Sequence, residues 1–190
     1  MMMELGSPAP DFSLKGTDGK VHSLASFKAA KALAVIFSCN HCPYVQAYEG
    51  RFVQLQKDLG PEGFQLVAIN ANDSDQYAED GFEAMVARAQ AQGFNFPYLR
   101  DETQEVAKAY AAACTPDFFV FDTDGRLVYR GQLDDSRPKN DRPVTGRDLR
   151  AALDAVLAHE PPAADQFPSL GCNIKWRKGN EPTYFPTPAR

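Results

Sequence analysis

Two cysteines, Cys39 and Cys42, stand where the sequence passes from a buried strand to an amphipathic helix. The run 33–37 is short, apolar and partly β-branched, which predicts a buried strand. Beyond the cysteines, apolar residues recur in steps of three and four and therefore share one helical face. They are Val45, Tyr48, Phe52, Leu55 and Leu59. A C-x-x-C pair at such a junction indicates a redox-active dithiol.

The start of a helix favours the thiolate form of a cysteine, because unpaired N–H groups and the positive end of the helix dipole lie there. The thiolate is the form that attacks disulfides and peroxides. We therefore predict that Cys39 is an exposed nucleophile of lowered pKa, and that the more buried Cys42 closes the disulfide. Pro43 suits the first helical turn, where no intrahelical N–H bond is lost. Protonated His41 would stabilise a Cys39 thiolate further, unless it is a solvated loop residue.

Composition excludes several classes of partner. The 190 residues are enough for one domain, and a hydrophobic content of 44% can form a core without disulfide bonds. The net charge of -5 argues against nucleic acid or an anionic membrane as the main partner. The sequence has no recognisable secretory signal and no apolar run of membrane-spanning length. We therefore expect a cytoplasmic protein whose cysteines are catalytic or free.

Alternating patterns along the chain predict further strands and helices. They are a hairpin over 12–24, a strand at 64–70, a helix at 79–91, a strand at 96–99, a helix at 101–112, a hairpin over 118–130 and a helix at 146–159. Pro97 favours an edge position for the strand at 96–99. We expect a redox domain over residues 1–160. The proline-rich tail over 161–190 should pack on that domain, because its aromatic residues are too many for a free segment.

This order of elements resembles the thioredoxin fold from about residue 6 to residue 159. Within that superfamily, the chain is similar to the peroxiredoxin-like group related to the alkyl hydroperoxide reductase and thiol-specific antioxidant (AhpC/TSA) proteins. The motifs that carry the resemblance are Gly6-Ser7-Pro8-Ala9-Pro10-Asp11-Phe12, Cys39-Asn40-His41-Cys42-Pro43-Tyr44, Cys114-Thr115-Pro116-Asp117 and Pro168-Ser169-Leu170-Gly171-Cys172-Asn173-Ile174-Lys175-Trp176. The resemblance implies an α/β, thioredoxin-like fold. Its central mixed β-sheet is flanked by helices and carries an N-terminal β-hairpin extension and an extended C-terminal tail.

The resemblance also implies a thiol–disulfide oxidoreductase that uses the redox pair Cys39-Asn40-His41-Cys42. Pro116 would be a cis-proline facing the cysteines, and Thr115 would offer its backbone to a substrate strand; the alternative is an ordinary entry into a strand. The expected substrate is a protein or small-molecule disulfide. A thiol reductant, such as a thioredoxin or glutathione system, would reset the pair. No cofactor and no metal are expected, and neither nucleic acid nor a membrane is expected as a partner.

Two other functions remain open: a peroxiredoxin-like antioxidant peroxidase that reduces hydroperoxides, and a non-enzymatic redox-sensing binding protein. Peroxiredoxins place a hydroxyl residue three positions before the reactive cysteine, a proline seven before it, and an arginine before a strand similar to 118–121. If Cys42 is the reactive cysteine, the hydroxyl residue is replaced by Cys39, the proline by Val35 and the arginine by Pro116. Fast peroxide chemistry depends on donors aimed at the O–O bond, so these departures favour disulfide exchange.

The other two cysteines are candidate additional thiols. Cys114 precedes Thr115 and is expected to be a core thiol, with a place near the redox pair as the alternative. Cys172 lies in the tail, where it could be a third, resolving thiol or a small residue that anchors the tail. A structural zinc site is disfavoured, because no second close pair of cysteines exists in the sequence.

Overall fold

The computed structural model of the protein describes residues 2–185. Its strands are β1 (Ser13–Gly16), β2 (Val21–Ser23), β3 (Ala32–Phe37), β4 (Phe64–Asn70), β5 (Tyr98–Arg100), β6 (Cys114–Thr115), β7 (Asp117–Phe121), β8 (Leu127–Tyr129) and β9 (Cys172–Asn173). Its helices are α1 (Pro43–Leu59), α2 (Phe82–Ala91), α3 (Glu105–Ala109) and α4 (Arg147–Leu157). The strand before the cysteines, the helix after them and both predicted hairpins are confirmed.

Seven strands form one mixed sheet in the order β2-β1-β5-β4-β3-β7-β8. Strand β3 pairs in parallel with β4 and antiparallel with β7, and β4 pairs in parallel with β5. The N-terminal hairpin β1–β2 extends the sheet beyond β5. This arrangement confirms the predicted α/β class, the mixed sheet and the hairpin extension. Because β3 and β4 are central and covered on both faces, their sequences are almost continuously apolar.

Alternate residues of β3 face two separate hydrophobic clusters, as the two-residue period of a strand requires. Ala34 and Ile36 face the cluster that contains helices α1 and α4. Val35 and Phe37 face the opposite cluster, which contains α3, Phe12 and part of the C-terminal tail. Helix α1 buries all five apolar residues that its periodicity places on one face. The sheet is therefore the middle layer of the fold.

Three predicted elements differ from the structure. Strand β5 is not an edge strand, because it pairs with β4 on one side and with β1 of the N-terminal hairpin on the other. Pro97 lies just before the strand, so its missing N–H removes no hydrogen bond between strands. Helix α2 begins at Phe82 after a short 3-10 turn, later than predicted. Helix α3 covers only Glu105–Ala109, since Gln104 has a left-handed φ of 65° and the Asp101 carboxylate accepts the Ala107 N–H.

The C-terminal tail packs on the cluster that contains α3. Ile174 and Trp176 are buried there, whereas Phe167 and Leu170 remain exposed. One short part of the tail is the strand β9, which pairs with β6 apart from the main sheet. The predicted tail continues to residue 190, and its residues 186–190 lie outside those that the structure describes. Between residues 2 and 185, no helix has the length and apolar character needed to cross a bilayer.

Candidate active site

The redox pair lies at one edge of the sheet because three chain segments end or begin there. Cys39 follows the carboxyl end of β3, and the parallel strand β4 ends beside it at Asn70. The antiparallel strand β7 begins at the same edge, since Asp117 pairs with Phe37. Thr115 and Pro116 directly precede β7 and are thereby brought to the cysteines. The carboxyl edge of a parallel sheet is where binding sites of α/β proteins form.

Cys42, rather than Cys39, occupies the helix terminus. Cys42 is the N-cap residue of α1 and Pro43 is in its first turn, as predicted. Cys39 lies three residues before the cap and is only 1% exposed, and Cys42 is 0% exposed. The prediction of an exposed Cys39 is therefore wrong. The reason is that the helix begins later than the C-x-x-C pattern suggests, and that Thr115 packs against Cys39.

Within this hydrogen-bonded pair of thiols, the pKa is lowered at Cys42, the residue at the helix cap. A hydrogen bond with Cys39 lowers the pKa of Cys42 to about 4, assisted by hydrogen bonds from the Cys172 thiol and the Val45 N–H of the first helical turn, and opposed by burial. The same hydrogen bond, together with burial and the nearby negative charge of Asp80, raises the pKa of Cys39 well above its usual range. The prediction that Cys39 carries the lowered pKa is wrong.

Thr115 and Pro116 lie against both sulfur atoms. The peptide bond between them is cis, which confirms that part of the expectation. The Thr115 hydroxyl lies 3.3 Å from Cys39 Sγ, and the Thr115 carbonyl oxygen lies 3.1 Å from Cys42 Sγ, whose thiol form donates to it. Thr115 is 2% exposed, so this contact is shielded from water. One residue therefore touches both members of the redox pair.

Asp80 is a buried carboxylate beside the pair, and sequence reasoning missed it. It is fully buried, yet four N–H groups donate to its oxygens. The donors are the Asn40 backbone at 2.6 Å, the Asn70 amide at 3.3 Å, the Asn72 amide at 2.8 Å and His41 Nδ1 at 2.5 Å. These donors satisfy the hydrogen-bonding capacity of a carboxylate that is shielded from water. The polar residues Asn70, Asn72 and Asp73, at the end of the central strand β4 and just after it, were the signal that could have located this cluster.

His41 is held in a fixed orientation and is not a freely solvated residue. Its Nδ1 bonds Asp80 at 2.5 Å, and its ring stacks on Tyr77 with centroids 5.2 Å apart. Its side chain remains 23% exposed. A stabilising effect of His41 on a Cys39 thiolate stays a prediction.

Asn40 connects the C-x-x-C loop to the sheet. Its side-chain oxygen accepts a hydrogen bond from the Tyr98 hydroxyl at 2.8 Å, and its amide donates to the Glu79 carbonyl oxygen at 2.7 Å. Tyr98 is 2% exposed, and burial raises the pKa of its phenol well above the usual value. The hydroxyl is therefore a permanent donor that holds the loop in place.

One set of residues near the pair has the composition of a metal site. Ligand atoms of Cys39, His41 and Asp80 lie within 4.8 Å of one another. Both Asp80 oxygens already accept hydrogen bonds from N–H groups, so a metal ion would have to displace these donors. This arrangement fits proton transfer better than metal coordination. The expectation that no metal binds stays a prediction.

The two remaining cysteines have different surroundings. Cys172 Sγ lies 2.7 Å from Cys42 Sγ, so the tail brings a third thiol directly to the redox pair. Cys114 is of intermediate exposure and belongs to neither hydrophobic cluster, which shows that the expectation of a core thiol is wrong. Its Sγ faces the Pro116 carbonyl oxygen at 3.5 Å, because β6 pairs with the tail instead of entering the main sheet.

Together, the sheet order, the C-x-x-C pair at the cap of α1 and the cis-proline opposite it define a thioredoxin-like redox protein. Two solved thioredoxin-like chains share this fold, although their sequence identity to this protein is low. The Redoxin family model matches residues 4–149, which is most of the chain. The protein therefore belongs to the Redoxin family.

Individual relatives include proteins of known and of unknown function. A crystal structure of an uncharacterized conserved protein from Geobacillus kaustophilus has 54% identity and a TM-score of 0.90, and covers 93% of this chain and 94% of that one. The thiol-disulfide oxidoreductase ResA of Bacillus subtilis is 28% identical over 65% of this chain and 64% of its own length. The chloroplastic peroxiredoxin Q of Suaeda salsa is 27% identical over 67% of this chain and 60% of its own. The chain thus spans less than two thirds of these two curated relatives.

Proposed function

We propose that the protein is a thiol–disulfide oxidoreductase in which Cys42 is the attacking thiolate and Cys39 closes the disulfide. The observation that carries the proposal is the C-x-x-C pair at the cap of α1, with the cis-proline segment packed against both of its sulfur atoms. A thiolate of lowered pKa is both a ready nucleophile at neutral pH and a good leaving group. Relatives that are named thiol-disulfide oxidoreductases support the same reaction class.

The reaction proceeds in two exchanges. Cys42 attacks one sulfur of a substrate disulfide, a mixed disulfide forms, and the other substrate sulfur leaves as a thiolate, which takes a proton from the solvent. Cys39 then loses its proton and attacks Cys42 Sγ, which releases the second substrate thiol and leaves the Cys39–Cys42 disulfide. A ring nitrogen of His41 lies within 4.8 Å of Cys39 Sγ, close enough to take that proton through one water molecule. The substrate disulfide gains two electrons and the protein dithiol loses two.

Substrate entry requires movement of the tail. The backbone of Thr115, which would pair with a substrate strand, is already paired with Cys172 of β9. That pairing involves two residues on each strand and stands apart from the main sheet. A peptide that carries a disulfide can therefore replace β9 along the same edge by strand addition. A protein disulfide, or a small disulfide, is the expected substrate, and a thiol reductant resets the pair.

A trapping experiment tests the proposal. We expect reduced protein mixed with oxidised glutathione to end with a Cys39–Cys42 disulfide in its peptide mass map. The double variant Cys39→Ser/Cys172→Ser removes both thiols near Cys42 and should accumulate one glutathione on Cys42. Cys114→Ser is the matched control and should react like the wild type. Modification of Cys39 in the wild type, or no reaction of Cys42 in the double variant, would refute the proposal.

The second candidate is a hydroperoxide reductase, favoured by membership of the Redoxin family and by the peroxiredoxin relative. In that reaction the Cys42 thiolate would take an oxygen atom from the peroxide and become a sulfenic acid. Cys39 or Cys172 would then displace water from it. No arginine precedes β7, where Pro116 stands, so the O–O bond lacks that donor. A location in the cytoplasm also remains a prediction, which fractionation of expressing cells would test.

A further inference from the structure

Cys172 lies where a substrate cysteine would lie, but it belongs to the same chain. Strand β9 pairs antiparallel with β6, and its register sets Cys172 opposite Thr115. The Cys172 side chain reaches Cys42, with 2.7 Å between the two sulfur atoms. A disulfide bond is about 2.05 Å long, so a small approach of the two side chains would join them. Backbone pairing and sulfur contact are two separate observations that place this thiol at the redox pair.

Contacts of the residues just before Cys172 fix its position at the site. A Cβ atom on Gly171 would lie 2.0 Å from the Thr115 carbonyl oxygen, so the tail backbone approaches the cis-proline segment as only glycine can. Two positions earlier, Ser169 Oγ donates to the Gly131 carbonyl oxygen at 2.9 Å. These contacts bring the tail down onto the site immediately before the cysteine.

The residues after Cys172 anchor the tail on the other side of the pair. The Lys175 N–H donates to the Asn72 side chain at 2.9 Å, and the Asp73 N–H donates to the Lys175 carbonyl oxygen at 2.8 Å. Ile174 and Trp176 are buried at 2% and 8% exposure. The tail is therefore held on both sides of Cys172, and the short β9 segment between them presents the thiol.

Exposure distinguishes Cys172 from the pair that it touches. Cys39 and Cys42 are 1% and 0% exposed, whereas Cys172 is of intermediate exposure. An external thiol must reach a disulfide sulfur along the S–S axis, so the rate of exchange depends on access. We propose that Cys172 carries the disulfide out of the buried pair, and that a Cys42–Cys172 disulfide is the form that the thiol reductant attacks. This inference rests on the proposed thiol–disulfide function.

The transfer step exchanges one disulfide for another. Cys172, as its thiolate, attacks Cys42 Sγ in the Cys39–Cys42 disulfide. The Cys42–Cys172 bond forms, the Cys39–Cys42 bond breaks, and the proton lost by Cys172 ends on Cys39. No net electrons move. Cys39 is buried beside the negative charge of Asp80, both of which favour the thiol, so Cys39 is a suitable final holder of that proton.

The reductant then acts at the more accessible sulfur, that of Cys172. Its thiolate attacks Cys172 Sγ, forms a mixed disulfide there, and displaces Cys42 as a thiolate. A second thiol of the reductant attacks that mixed disulfide, releases Cys172 as a thiol, and leaves as the oxidised reductant. Two thiols of the reductant are thus oxidised to a disulfide, and the protein disulfide takes up both electrons. A leaving thiol of low pKa departs faster, and the pKa of Cys42 is about 4.

The first test looks for the bond itself. Cys39→Ser is treated with diamide, an oxidant that takes two electrons and two protons from a pair of thiols, and its peptides are mapped without reduction. We expect a Cys42–Cys172 disulfide within one chain, also when Cys114 is replaced by serine. A free Cys172, or a Cys42 joined to another chain, would overturn the proposal. If Cys39→Ser does not fold, Cys39→Ala gives the same readout.

The second test measures the reset. Oxidised wild-type protein is mixed with reduced glutathione, and the return of the thiols is followed by stopped flow. We expect Cys172→Ser to be reduced about tenfold or more slowly than the wild type, with Cys114→Ser unchanged. Equal rates for Cys172→Ser and the wild type would overturn the proposal. Failure of reduced wild-type protein to react with oxidised glutathione would instead refute the proposed function, so the two failures are distinguishable.

Discussion

The low pKa of Cys42 makes a quantitative prediction about stability. In the folded, reduced protein this pKa is about 4, against an ordinary cysteine value of about 8.5. Between these values the unfolded chain binds a proton that the folded chain does not, so the free energy of unfolding rises with pH. One bound proton corresponds to about 1.4 kcal/mol per pH unit. The contribution of the Cys42 thiolate to stability is complete above the pKa that Cys42 has in the unfolded chain. It is lost as the pH falls through about 4, the pKa in the folded protein.

Replacement of Cys42 by serine removes this dependence. We expect the free energy of unfolding of the wild type, relative to Cys42→Ser, to rise by about 1 kcal/mol per pH unit between about pH 5 and 7. Burial and Asp80 still raise the pKa of Cys39 in this variant, so Cys39 does not take over the titration.

The assay is urea unfolding with a phosphine reductant, repeated across this pH range. Cys114→Ser is the control, because partial burial and the nearby charge of Asp117 raise the pKa of Cys114, and both the folded and the unfolded state keep its proton in this pH range. The free energy of unfolding of Cys114→Ser should change with pH in the same way as that of the wild type. A constant difference between wild type and Cys42→Ser at every pH would refute the assignment of the thiolate to Cys42.

Three further substitutions test the surroundings of the pair. Asp80→Asn removes a negative charge and should lower the pKa of Cys39, which would be seen as faster labelling of Cys39 by iodoacetamide in peptide maps. An unchanged rate would contradict this. Gly171→Ala would place a Cβ 2.0 Å from a backbone oxygen, so we expect a loss of about 1–3 kcal/mol and faster labelling of the tail cysteine. Gly50→Ala, with open space at its Cβ, should show neither change. Tyr98→Phe removes the buried hydroxyl that donates to Asn40 and should lower the free energy of unfolding in urea by about 1–3 kcal/mol. Wild-type stability of this variant would show that the hydroxyl does not hold the C-x-x-C loop in place.

Local patterns in the sequence were sufficient for most of the fold. The apolar face of α1 follows from its periodicity, and the turn at Asp18–Gly19 sets the N-terminal hairpin. The length of α3 was not predictable in the same way. It is set by a left-handed residue, Gln104, and by a buried Asp101 carboxylate that bonds the helix backbone. Such tertiary contacts override the local preference for a longer helix.

The site was predictable in its members but not in their roles. The C-x-x-C pair and Pro116 were identified from the sequence, and the structure brings them together. The exchange of roles between Cys39 and Cys42 depends on where α1 begins, and helix ends are poorly marked in a sequence. Asp80 and Cys172 reach the pair from distant segments of the chain. Strand β9, which carries Cys172, has only two residues and therefore shows no alternating pattern in the sequence. Long-range placement of this kind requires the fold.

The central claim is that this site exchanges disulfides in preference to reducing peroxide. The most direct measurement mixes fully reduced protein with oxidised glutathione or with hydrogen peroxide at equal concentrations, follows thiol loss by stopped flow, and maps the products by mass spectrometry. The account predicts faster loss with the disulfide, with Cys39–Cys42 as the product and slow loss with peroxide. Faster loss with peroxide, with a sulfenic acid trapped on Cys42, would contradict it and identify the protein as a peroxidase.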